Sequence, residues 1–107
     1  MYGNIKMIKI WIDDIRTPPS EDWIWIKSVN EAKRYISMIY SYGVTDIMLS
    51  LDHDAGDYAK DGGDYIKILD YLELVGYNGD LRIHSMNAVG VQNMRNIIQK
   101  NGWREIY

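Results

Sequence analysis

Met7-Ile-Lys-Ile-Trp-Ile12, followed at once by Asp13-Asp14, is the stretch on which the fold turns. It is an apolar, β-branched run broken only by Lys9, so it reads as a strand buried on both faces that stops at a pair of acids. The same pattern returns twice. Asp46 to Leu51 is a strand ending in Asp52-His53-Asp54, and Leu81 to Ser85 is a strand carrying His84 at its end. Trp23 to Lys27 and Trp103 to Tyr107 supply two shorter strands.

Between these runs the spacing changes to that of helices. Ser28 and Glu31 stand three apart, as in a capping box, and Val29, Ala32, Ile36 and Ile39 then fall on one stripe that Gly43 ends. Tyr65, Leu69, Leu72 and Val75 mark a second helix stopped by Gly76, and Asn87 caps a third with Val91, Met94 and Ile98 facing inward, stopped by Gly102. Asp13 to Asp22, with Pro18-Pro19, is too short and irregular for a helix and is expected to be a loop. Strands alternating with helices predict an α/β fold: a five-stranded parallel sheet, three layers deep, in the flavodoxin-like order 2-1-3-4-5, its first helix reduced to a loop.

With 107 residues, one domain over 1–107 is expected, of a size that hides roughly two thirds of its surface on folding. Apolar residues at 47% and charged residues at 25% exclude the disordered and membrane classes. No stretch reaches the roughly 18 unbroken apolar residues of a membrane span, and Met1 to Lys9 lacks the apolar run of a signal peptide, so the cytoplasm is the expected location. Without cysteine there is no disulfide or thiolate chemistry. A net charge of −3 argues against wrapping a nucleic-acid backbone while leaving small phosphorylated ligands open. Oligomeric state is unread.

In the 2-1-3-4-5 order, strands one, three and four are neighbours, and ligands lie at their carboxyl ends. Asp13, Asp14, Asp52 and Asp54 would crowd one crevice there, and a cation would relieve their repulsion. Oxygen ligands of this kind suit Mg²⁺ or Mn²⁺. Both histidines, His53 and His84, fall at the same edge, so zinc or iron on two imidazoles and a carboxylate competes. Imidazole titrates near pH 6.5 and can act as acid or base. Asp57, Asp61, Asp64 and Asp70 read as loop or capping residues. A calcium loop over Asp52 to Gly63 fails, because Gly56 holds a ligand position, Asp57 the turn position, and Gly63 replaces the bidentate Glu. Gly62-Gly63 lacks the Lys-Ser or Lys-Thr of a phosphate loop.

The motifs Trp11-Ile-Asp-Asp-Ile-Arg-Thr-Pro18, Ser50-Leu-Asp-His-Asp-Ala-Gly56 and His84-Ser-Met-Asn87 with Gly90 and Met94 resemble the cyclic-phosphate processing receiver-like domain family over about residues 8 to 95. The resemblance implies a receiver-like sheet with an acidic metal pocket and two added histidines, acting on cyclic phosphates. By the receiver pattern, Asp13 and Asp14 match the Mg²⁺-holding pair, Asp52 the phosphate acceptor and Ser85 the hydroxyl after strand four, whereas Trp103 to Tyr107 holds no lysine to match the one that follows strand five. The expected activity is a metal-dependent phosphoesterase with Asp52, His53 and His84 as catalytic groups. Arg16, Ser85, Asn87 and Gly90 would bind the phosphate of a small ligand or an RNA terminus. A non-catalytic phosphate- or nucleotide-binding module and a phospho-accepting receiver are the alternatives.

Overall fold

The structure is a computed structural model that describes residues 7–107. Strands β1 (Ile8–Ile12), β2 (Trp23–Ile26), β3 (Ile47–Leu51), β4 (Asp80–Ile83) and β5 (Arg104–Glu105) alternate with helices α1 (Val29–Ser41), α2 (Ile66–Val75) and α3 (Ala88–Asn101), except that a loop alone joins β1 to β2. All four pairings are parallel and the order is β2-β1-β3-β4-β5, as the alternation predicts. A 3-10 turn, Gly56–Lys60, sits in the glycine-rich loop. No helix among the described residues is long and apolar enough to cross a membrane.

Local chemistry explains the helix ends. Ser28 Oγ accepts the Glu31 N–H at 3.1 Å, while the Glu31 carboxylate accepts from Lys27 N at 3.1 Å, one residue earlier than a regular capping box. Gly76 and Gly102 end α2 and α3 in the left-handed conformation. On α3 the buried positions are Gly90, Met94 and Ile98, four apart, and Val91 lies beside that stripe rather than on it. On α2, Ile68 joins Leu69 and Leu72 in the core, and Val75 is half-buried.

The layering differs from the expected three. Ile10, Ile12, Ile26, Ile47, Leu49, Leu51 and Leu81 share one core with the inward stripes of all three helices. Trp11 is only 7% exposed yet lies outside that core, as do Trp23, Trp25 and Met48. Side chains alternate along a strand, so these residues occupy the opposite face of the sheet. The reason is handedness. The β2-to-β3, β3-to-β4 and β4-to-β5 crossovers all run the same way across the sheet, and right-handed connections place their helices on one side. Only the β1-to-β2 connection runs the other way, and residues 13–22 form bends and turns there. Among the described residues, one sheet face therefore carries three helices and the other carries none.

Candidate metal and phosphate site

Three backbone bonds extend the sheet by one rung past its last regular pairs. Asp13 N donates to Ile26 O, Asp52 N to Ile12 O at 2.9 Å, and His84 N to Leu51 O at 2.8 Å. Asp13, Asp52 and His84 are thus abreast at the carboxyl edge of β1, β3 and β4. The carboxylates of Asp13, Asp14 and Asp52 each offer an oxygen within 4.8 Å of the other two. Asp13 and Asp52 are buried and Asp14 half-buried.

The electrostatics are uneven across the triad. Burial pushes Asp13 up, but N–H bonds from Ile15 and Arg16, both 2.9 Å to Oδ1, and a bond from His84 hold it below the usual carboxylate range. Asp14 is raised by burial and by the charges of Asp13 and Asp52. Three acids at this spacing, one of them resisting ionisation, fit a hard divalent cation bound through oxygen. Among the described residues no comparable cluster joins two histidines and a carboxylate, so the donor set does not favour zinc or iron.

His84 is held on every side. Its Nε2 lies 3.0 Å from Asp13 Oδ2, its Nδ1 lies 2.8 Å from Ser50 Oγ, and its ring stacks on Trp11 at 3.8 Å and 5°. A carboxylate only accepts, so the imidazole proton sits on Nε2 and Ser50 O–H donates to Nδ1. Burial lowers the proton affinity of His84, against the pull of Asp13. Trp11 is fixed in turn by its N–H to Arg16 O at 2.8 Å, and Trp25 N–H donates to Asp13 O at 2.7 Å.

His53, the residue after Asp52, is arranged differently. Its N–H donates to Asp52 Oδ1 at 2.7 Å, and its Nδ1 lies 2.8 Å from Asp54 Oδ1. Asn87 Oδ1 accepts the Gly90 N–H at 2.9 Å, which turns its amide nitrogen towards Asp54 at 3.4 Å and His53 Nδ1 at 3.3 Å. Because Asp54 accepts from both, Nδ1 of His53 carries the proton and Nε2 keeps its lone pair. The bond from His53, with Asn87, holds Asp54 below its ordinary value. Asp54 therefore bonds to His53 and lies outside the triad of Asp13, Asp14 and Asp52, although the sequence predicts it as a fourth acid of the same metal site. A side chain at Gly90 would meet the His53 ring, so α3 can approach it this closely only with glycine there.

With this geometry in hand, residues 8–100 match the family described as Cyclic-phosphate processing Receiver domain. The chain belongs to that family. No curated protein and no solved structure matches it.

Arg16 is exposed, and its Nη1 donates to His84 O at 2.9 Å, which anchors the guanidinium at the mouth of the site. Ser85 Oγ accepts the Asn87 N–H at 3.1 Å and shapes the turn into α3. Ser50, Trp11 and Gly56 are the contributors that motif reading passed over as site groups. Ser50 and Trp11 stand two residues before Asp52 and Asp13 and so face the same way, a signal available from strand alternation. Gly56, at φ +56°, leaves room for Asp14, whose Oδ2 a Cβ there would strike.

Proposed function

We propose that this domain is a metal-dependent phosphoesterase that opens cyclic phosphates, with Mg²⁺ or Mn²⁺ held by Asp13, Asp14 and Asp52. The observation that carries the reading is an all-oxygen triad whose Asp52 is followed in the chain by His53, an imidazole with its Nδ1 held by a fourth carboxylate, Asp54. A divalent ion bound there supplies charge neutralisation for phosphoryl oxygens and a more acidic water. Arg16 and the N–H groups opening α3 take the remaining non-bridging oxygens. His53 Nε2 accepts a proton from the attacking water, with Asp54 fixing its tautomer. The water oxygen bonds to phosphorus as the ribose oxygen leaves, the proton passes from His53 to solvent, and the ribose oxygen takes one from solvent. His84, with both nitrogens engaged and its ring against Trp11, holds Asp13 in place. The ligand is a small cyclic phosphate or the cyclic end of an RNA.

The test is turnover of 2′,3′- and 3′,5′-cyclic nucleotides with added Mg²⁺ or Mn²⁺. Conversion to monoesters is expected, lost in Asp52→Asn and reduced about 10²- to 10⁴-fold in His53→Gln. Ligand binding with no turnover by the native protein would replace the hydrolase reading by a phosphate-binding module.

A further inference from the structure

The helix-free face of the sheet has its own composition. Pairing sets Trp23, Lys9, Met48, Asp80 and Arg104 abreast across all five strands. The next row towards the carboxyl edge is Trp25, Trp11, Ser50 and Arg82, and the row beyond contains Asp13, Asp52 and His84. Lys9 Nζ lies 5.7 Å from the Trp23 ring centroid, and Lys27 Nζ lies 4.5 Å from that of Trp25. Arg82 and Arg104 are exposed, while Trp23, Trp25, Lys9 and Met48 are half-buried. The only acid on the first two rows, Asp80, stands 4.0 Å from Arg104. Asp22 lines the same cavity as Lys9 at the β1–β2 edge, and the two rows themselves carry Lys9, Arg82 and Arg104 against Asp80, so that on a chain of net charge −3 this face is locally basic and aromatic.

We infer that this face is a track for single-stranded RNA whose 3′ end reaches the acid and imidazole row. Lys9, Arg82 and Arg104 meet backbone phosphates, and Trp23 and Trp25 offer ring surface to unpaired bases, the combination that single strands require. Five strands at about 4.8 Å spacing give the track a width of about 19 Å. Duplex ends are excluded, because their bases are already stacked on one another. The choice of RNA and the direction of the strand rest on the proposed reading of the site, since a 2′,3′-cyclic phosphate forms only where a 2′-hydroxyl exists. The existence of the track rests on the sheet face alone.

The experiment uses fluorescence anisotropy with a short 5′-labelled oligouridylate ending in a 3′-hydroxyl, so that neither turnover nor the metal enters the binding measurement. The native protein should bind it, and the double variant Lys9→Glu/Arg82→Glu should bind about tenfold more weakly, with a salt slope shallower by about 1.4 for two lost phosphate contacts. Trp23→Ala should also weaken binding about tenfold, with circular dichroism checking its fold. Hydrolysis of a cyclic mononucleotide should be unchanged in Lys9→Glu/Arg82→Glu. Unaltered RNA affinity in the charge-reversal variant overturns the inference, as does equal affinity for a duplex. Self-association through this face without RNA binding overturns it too. RNA binding without hydrolysis of any cyclic phosphate removes the enzymatic reading and leaves the track standing.

Discussion

Gly90 and His53 are in such close approach that a Cβ at position 90 would lie 2.5 Å from the imidazole Cγ and Cδ2. Gly90 is buried on α3, and His53 follows the end of β3, so helix and imidazole share one seat. In Gly90→Ala the added methyl pushes the ring off its bond to Asp54. Displacement of a reacting group by about 1 Å costs on the order of 10²-fold. The kcat for cyclic phosphate should fall by about that factor. Stability should also fall, because overpacking costs about 1 to 3 kcal/mol and the gain of about 1 kcal/mol for alanine over glycine within a helix offsets only part of it. Steady-state kinetics beside a urea titration separate the two effects, and native kcat in the alanine variant would remove His53 from proton transfer.

A different outcome is expected at Asp14. Its folded pKa is raised by burial and by Asp13 and Asp52, so its ionised form opposes folding at neutral pH. The sign is opposite to that of a paired acid: stability falls as pH rises from the unfolded value of 3.8 through the higher folded one. Asp14→Asn should therefore be more stable than the native protein in chelator. Added Mg²⁺ or Mn²⁺ should raise the Tm of the native protein, the gain being about 2.7 kcal/mol at a hundredfold excess over Kd. That rise should be largely absent in Asp14→Asn. A variant that is less stable in chelator, or gains as much from metal, would sink the triad as a cation site.

Much of this could be read from the chain because the informative residues stand where strands end. The run from Met7 to Ile12 against Asp13-Asp14 locates both a strand and a site, and glycine marks the ends of α2 and α3. The layering was also implicit. Helices follow only β2, β3 and β4, and in a 2-1-3-4-5 order all three right-handed crossovers share one face. A continuous apolar run with tryptophans looked like a strand buried on both sides, yet Trp11 is covered by His84 and the loop after β1 rather than by a helix. Asp54 illustrates what spacing leaves open: it adjoins His53 in sequence, but only the turn at Asn87 shows that it holds the imidazole. Val91 was expected inward on apolarity, whereas the close seat of His53 puts Gly90 on that stripe.

Ser50 offers a test of how His84 is held. Its hydroxyl is fully buried and is the partner of His84 Nδ1 at 2.8 Å. Ser50→Ala leaves that largely buried nitrogen unpaired, at a cost of about 1 to 3 kcal/mol. The urea midpoint should drop accordingly. Metal affinity should fall with it, because the ring that fixes Asp13 Oδ2 is freed on its other side. A change of only a few tenths of a kcal/mol would mean that Ser50 is a bystander.

Acid sensitivity should arise partly from a residue outside the site. Asp61 accepts from Ser28 Oγ at 2.6 Å and Asn30 Nδ2 at 3.1 Å, and these bonds hold its pKa below 3.8, tying the glycine-rich loop to the first turn of α1. A depressed folded pKa contributes stability that is fully present above the unfolded value and is lost as pH falls through the folded one. Urea midpoints of the native protein should thus decline as pH falls from the unfolded value of 3.8 through the lower folded one, where the carboxylate takes up its proton. In Asp61→Asn the charge is absent at every pH and an amide oxygen still accepts one bond. That variant should start from a lower midpoint at neutral pH and lose less on acidification. Parallel curves for the two proteins would show that the Ser28 and Asn30 bonds do not set the pH response.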